Sequence, residues 1–161
     1  MMQRIAVRNS QAQIPTLAKL FAALALGATG VFAAQQITPA IPAGVDGAKE
    51  LWLIMGSFGL LVGWRVVGLS AGRRWVDAIN DGLRGGIYVL LWTFSFLGAM
   101  QMLKLALRMR YDDVLSAVTD VIGQGAAIGV ASLGIMPVVT LGLGAVGAGL
   151  LSEFAHRRFG R

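Results

Sequence analysis

The chain has 161 residues, of which 56% are apolar, 22 are glycine and only 14% are charged, against about 25% charged in an ordinary soluble domain. That balance argues against a soluble globule, a disordered tail and a fibrous repeat, and leaves membrane protein as the leading class. Fourteen Lys and Arg against eight Asp and Glu give a net +6, while zero cysteines and the lone His156 exclude disulfides, thiol redox chemistry and multi-histidine metal sites.

Residues 1–14 form an N-terminal arm carrying Arg4 and Arg8. Residues 20–45 carry no charge, and the first spanning helix is expected at about 15–34, with Pro15 suited to a first helical turn. Arg4, Arg8 and the small residues Val31-Phe32-Ala33-Ala34 also resemble a secretory leader. Cleavage there would leave three spans with the same C-terminal orientation, but a retained segment is the expectation. After a Pro- and Gly-containing loop, residues 51–67 make the second span, with Trp52 and Trp64 near its ends as interfacial anchors. The third is expected at about 86–105, with 68–84 as a loop before it. The fourth is expected at about 137–154, opened by Pro137.

Residues 112–134 carry apolar side chains at helical spacing, but 121–136 are too short, too Gly-rich and too near Pro137 for a fifth span. An amphipathic helix lying in the interface is expected there, with a re-entrant segment as the alternative. The fold class is thus all-α, one transmembrane domain over 15–160, with four spans and one interfacial helix.

Charge placement orients these spans. With the N-terminus, the 68–84 loop and the C-terminus on one side, that side holds Arg4, Arg8, Lys19, Arg65, Arg73, Arg74, Arg84, Arg157, Arg158 and Arg161. The other holds Lys49, Lys104, Arg108 and Arg110. Ten against four is the positive-inside bias, so both termini are expected in the cytoplasm. Orientation then accounts for the basic balance without nucleic acid as a partner. The expected partners are the bilayer and its anionic lipids, with a larger membrane complex as a further candidate.

Several motifs carry a chemical reading beside a structural one. Gly142-Leu143-Gly144-Ala145-Val146-Gly147 matches a dinucleotide fingerprint as a string, but no strand precedes it and phosphate cannot reach the middle of an apolar span. Packing is the better reading. Thr140, Gly144, Ala148 and Ser152 form a small-residue ridge, and Gly56, Gly59 and Gly63 form another, joined by Ala23 and Gly27 on the first span. Such faces let helix backbones approach closely. Arg65 is the one charge within the second span. It either snorkels to headgroups or pairs with Glu153, which ends the fourth span on the same side.

Arg73, Arg74 and Trp75, with Lys104 and Arg108 at the other surface, read as headgroup anchors. Gln101, Lys104 and Arg108 share a face that could also meet an oxyanion. His156 reads as solvated, and Asp112-Asp113 as a cap or surface pair. No catalytic constellation, cofactor site or metal site emerges.

Several segments together resemble the TrgA family, small bacterial membrane proteins linked by name to tellurite resistance. They are Gly63-Trp64-Arg65-Val66-Val67-Gly68, Ala71-Gly72-Arg73, Ala78-Ile79-Asn80-Asp81-Gly82-Leu83, Leu105-Ala106-Leu107, Arg110-Tyr111-Asp112 and Glu153-Phe154. The resemblance covers about 15–160, and departs from the family pattern in residues 1–13 and at Gln101, where an acidic residue is expected. It implies a proteobacterial inner-membrane protein with an indirect, non-enzymatic role in tolerance, since no thiol or haem-type ligand pair is present. An accessory subunit or assembly factor of a respiratory or photosynthetic complex is the second expectation. A small transporter is the third, disfavoured because the spans lack the buried ionisable residues that mark substrate paths.

Overall fold

A computed structural model of the chain describes residues 17–41, 49–69, 72, 74–107, 119, 122–123, 126, 129–130 and 134–159. Among the described residues, four main helices carry the fold. Helix α1 is Leu17–Ile37, extended by a 3-10 turn over Thr38–Ala40; α2 is Leu51–Val62, continued by a π-helical turn over Gly63–Val67; α3 is Trp75–Leu107; and α4 is Ile135–Phe159. No strand occurs among the described residues. Three helical stretches, Leu17–Ala40, Trp75–Lys104 and Ile135–Arg158, are long and apolar enough to cross a membrane, and Leu51–Val67 is a shorter apolar helix.

One boundary differs clearly from expectation. The third helix begins at Trp75 rather than near residue 86, so most of the expected 68–84 loop is helical and Arg84 sits inside α3. Asp77 stabilises this early start: it lies in the first turn and accepts a hydrogen bond from the Arg74 amide at 3.4 Å, covering a helix-end donor and placing negative charge at the positive end of the dipole. The expected interfacial helix at 112–134 lies mostly outside the described residues, as does the arm at 1–14. Of that stretch, residues 119, 122–123, 126 and 129–130 are helical.

The bundle is built around α1, which packs most extensively against α4 and α2, while α3 packs against α4 and, less extensively, α2. Each consecutive pair runs antiparallel. Gly27 meets Gly59 and Gly30 meets Met55 between α1 and α2, and Ala18 meets Ser152 while Gln36 meets Thr140 between α1 and α4. The ring of four therefore returns the chain to the end where α1 began. At its centre Leu26, Met55, Val62, Val89, Leu97 and Leu141 form one apolar cluster.

Small residues set the spacing. A Cβ added at Gly59 would lie 2.6 Å from the Leu26 carbonyl oxygen, and one at Gly63 would lie 2.6 Å from that of Ala22. The backbone of α2 thus lies directly on the backbone of α1. The same holds between α3 and α4, where Gly82 meets the Ala145 carbonyl and Gly149 meets that of Ala78.

The π-turn follows from this packing. Gly63 and Gly68 both press on α1, against Ala22 and Lys19 respectively, yet five residues rotate about 140° apart at the ~100° per residue of an α-helix. One extra residue in the turn, closed by the Gly68 amide donating to the Gly63 carbonyl at 2.8 Å, brings both glycines onto one face and turns Arg65 outward.

A substitution series tests this packing. Gly59→Val and Gly63→Val should each lower stability by about 1–3 kcal/mol, the usual range for overpacking. Gly142→Ala and Gly147→Ala, where an added Cβ meets nothing within 4 Å, should be neutral or slightly stabilising. Unfolding midpoints in mild detergent would separate the two pairs, and equal effects would rule out backbone contact as the determinant.

Candidate functional site

Most of the polar chemistry of the bundle gathers at the end where α1 starts, α2 and α4 finish and α3 begins. Glu153, on the last turns of α4, is only 1% exposed. Its carboxylate accepts two hydrogen bonds at 2.7 Å, one at Oε2 from the Gly72 backbone amide and one at Oε1 from Arg157 Nε. Arg157 sits one turn further along the same helix, and its guanidinium also lies 4.9 Å above the Trp75 ring, a cation–π geometry.

Glu153, Arg157, Gly72 and Trp75 therefore form one latch. It ties α4 to the connection between α2 and α3 and to the first residue of α3. Gly72 is the position in the latch that disfavours a side chain, for two reasons. Its φ of 95° is in the left-handed region, and a Cβ there would come within 2.6 Å of His156 Nε2. Lys19 on α1 is also buried here, packed on Gly68, and Ser152 donates to the Ala18 carbonyl at 3.4 Å.

The latch corrects one expectation. The ion pair of Glu153 runs to Arg157, not to Arg65, which is exposed on the outer side of the π-turn. The reason is local. Arg157 stands four residues along on the same helical face, which is the natural spacing for an acid–base pair, while the π-turn rotates Arg65 away from α4.

The small-residue positions fall into two groups of contacts. Gly56, Gly59 and Gly63 lie against Val31, Leu26, Gly27, Ala22 and Ala23 of α1. On α4, Thr140 donates to Gln36 at 3.0 Å, Gly144 presses on Thr29, Ala148 is buried, and Ser152 reaches Ala18. Both groups therefore meet α1. Of the anchor positions, Arg74 and Trp75 are exposed at the latch end, and Lys104 is half-buried near the far end of α3. Arg73 and Arg108 lie outside the described residues.

Gly72, Arg157, Gly82 and Gly149 were not anticipated as contact residues. The spacing of Glu153 and Arg157 was a usable signal, as was the Ala78, Gly82, Gly86 series at four-residue intervals. The positive φ of Gly72 had none. Among the described residues no group of three His, Asp or Glu stands close enough to hold a metal ion.

Long apolar helices joined through small-residue faces, with few charges among the described residues, define the class: a helical membrane protein. No protein-family model, curated protein or solved structure matches the chain.

A mutant cycle tests the latch. Arg157→Met should destabilise by about 2 kcal/mol, because a buried carboxylate loses its partner. Glu153→Gln with Arg157→Met should recover part of that loss, since no uncompensated charge remains. Equal unfolding midpoints for Arg157→Met and the parent protein would remove the ion pair from any stabilising role.

Proposed function

We propose that the chain is a four-span, non-enzymatic protein of the bacterial inner membrane with both termini in the cytoplasm, and that it acts indirectly in tellurite tolerance in the manner of the TrgA proteins it resembles. The observation that carries the topological part is the antiparallel ring. It brings the start of α1 and the end of α4 to one end of the bundle, and the same end carries Arg65, Arg74, Arg157 and Arg158, all exposed. Basic residues at that end favour its retention on the cytoplasmic side. The 17 residues of Leu51–Val67 cover about 25 Å at 1.5 Å each, slightly under the hydrocarbon thickness. Modest local thinning, with Trp52 and Trp64 at the two interfaces, would accommodate this span.

The functional part rests on the family resemblance and on the residue types present. With no cysteine, direct thiol reduction of an oxyanion is outside the chain's chemistry, so a tolerance role works through another component of the membrane. The second reading, an accessory subunit, draws on one surface feature. Phe58 of α2 stacks on Trp92 of α3 at 6.3 Å and meets Phe96 edge-on at 5.9 Å, and Trp92 and Phe96 remain exposed. That aromatic face suits a protein partner as well as it suits lipid.

Reporter fusions after residue 161 and within residues 42–48 test the topology. A cytoplasmic-active reporter should be active at the first site and an alkaline phosphatase at the second, and the reverse pattern would exclude the orientation. Deletion of the gene should lower growth in tellurite and leave untreated growth unchanged. Stoichiometric co-purification with one complex in mild detergent, with no tellurite phenotype, would instead select the subunit reading.

A further inference from the structure

Helix α3 has two faces of opposite character. One packs on α4 through Ala78, Gly82 and Gly86, and continues into the buried Val89, Thr93 and Leu97. The other carries Asp77, Asp81, Arg84, Tyr88, Leu91 and Ser95, at spacings that alternate between four and three residues. That repeat holds one seam of a helix against a second helix crossing at a shallow angle. Arg84, Tyr88, Leu91 and Ser95 are exposed on this seam, with Trp92 exposed beside it.

The outward faces of the other long helices are different. Leu20, Phe21, Leu24 and Phe32 stand outward on α1, and Val139, Leu143 and Phe154 on α4, all side chains that lipid accepts. The α3 seam instead presents a guanidinium, a phenol and a hydroxyl. Only 28% of the most apolar stretch of α3 is buried, against 56% for α1. Part of the seam lies deep in the span, because Trp92 stacks on Phe58, near the middle of Leu51–Val67. Hydroxyls at such depth are suited to hydrogen bonds across a helix pair.

Charge decides which helix fits. Asp81 and Arg84 stand on opposite flanks of the seam, about 60° apart at ~100° per residue. Within the chain they approach to 3.9 Å, beyond the about 2.7–2.9 Å of a charge-assisted hydrogen bond, and the Arg84 side chain is 71% exposed. Where two parallel helices meet about a two-fold axis, opposite flanks face each other. Arg84 of each copy then faces Asp81 of the other, while Tyr88 and Ser95, each a donor and an acceptor, are able to meet themselves. An acid on one flank and a base on the other make the seam complementary to itself.

We propose that the Asp77–Asp81–Arg84–Tyr88–Leu91–Ser95 seam of α3 is the interface between two parallel copies of this chain, with Arg84 of each copy paired to Asp81 of the other. The proposal rests on the membrane-spanning reading above.

Because the chain has no cysteine, a single introduced cysteine reports contact between chains. Ser95→Cys, Leu24→Cys and Leu143→Cys, all at exposed positions, would be oxidised in native membranes at low expression, and a monodisperse elution profile confirms that each variant folds. Ser95→Cys should give a covalent product of twice the chain mass severalfold faster than either control. Adding Arg84→Asp should abolish that product, and adding Asp81→Arg as well should restore it with the flanks exchanged. Equal cross-linking at 24, 95 and 143 overturns the proposal, because random collision then explains it. No product from Ser95→Cys, or a product of another mass, also overturns it, the latter by assigning the seam to a different protein. Cross-linking that Arg84→Asp leaves unchanged removes the charge pairing. Release of the chain from membranes by alkaline carbonate would instead refute the spanning reading, whereas a retained chain without the product refutes the seam alone.

Discussion

Gly59 and Gly63 let the backbone of α2 rest on the carbonyls of α1, and the other contacts of the bundle are arranged around that approach. In an apolar solvent, burying apolar side chains gains little, so helices associate through dispersion at close range and through a few hydrogen bonds. Close range requires that nothing larger than a hydrogen or a methyl stand between the axes. Helix α1 meets this on two sides at once. Ala22, Ala23, Gly27 and Gly30 face α2, while Ala18 and Thr29 face α4. Its outer positions, such as Leu20, Leu24 and Phe32, keep large apolar side chains for the surroundings.

The polar features follow from the same constraint. Bringing two glycines five residues apart onto one face requires the π-turn, and the π-turn turns Arg65 outward. With Arg65 gone from the interior, the carboxylate of Glu153 is matched by Arg157 on its own helix and by the amide of Gly72. That pairing ties the connection from α2 to α3 to the end of α4, just before α3 begins at Trp75 and runs its first turns along α4, small residue against small residue. The latch is thus the polar counterpart of the glycine contacts. It closes the end of the bundle where α1 starts, α2 and α4 finish and α3 begins.

Much of this was legible in residue order. The long apolar runs locate the four main described helices, and the small-residue ridges on α2 and α4 are visible at three- and four-residue spacing. The start of α3 was not legible, because Asp77, Asp81 and Arg84 read as loop charges when burial on the opposite face is unknown. The Ala78, Gly82 and Gly86 series is the signal that distinguishes the two, and it becomes meaningful only when its mate on α4, Ala145 and Gly149, is recognised. The partner of Glu153 was missed for a different reason. The four-residue spacing to Arg157 was readable in the sequence, but only the structure shows that Glu153 is buried and that Arg65 is exposed on the π-turn. Function is the least legible layer, since a bundle held by glycines and one ion pair is compatible with several roles in a membrane.

The central claim is that α1 lies antiparallel between α2 and α4 with its backbone in contact with both. Oxidative cross-linking of paired cysteines in intact membranes tests it most directly, because the chain has no cysteine of its own and a disulfide forms only between closely apposed backbones. Ala18→Cys should cross-link rapidly with Ser152→Cys, whose parent side chain reaches the Ala18 carbonyl at 3.4 Å, and should not cross-link with Thr140→Cys. Rapid cross-linking of Ala18→Cys to Thr140→Cys, with none to Ser152→Cys, would reverse the direction of α4 against α1 and contradict the fold.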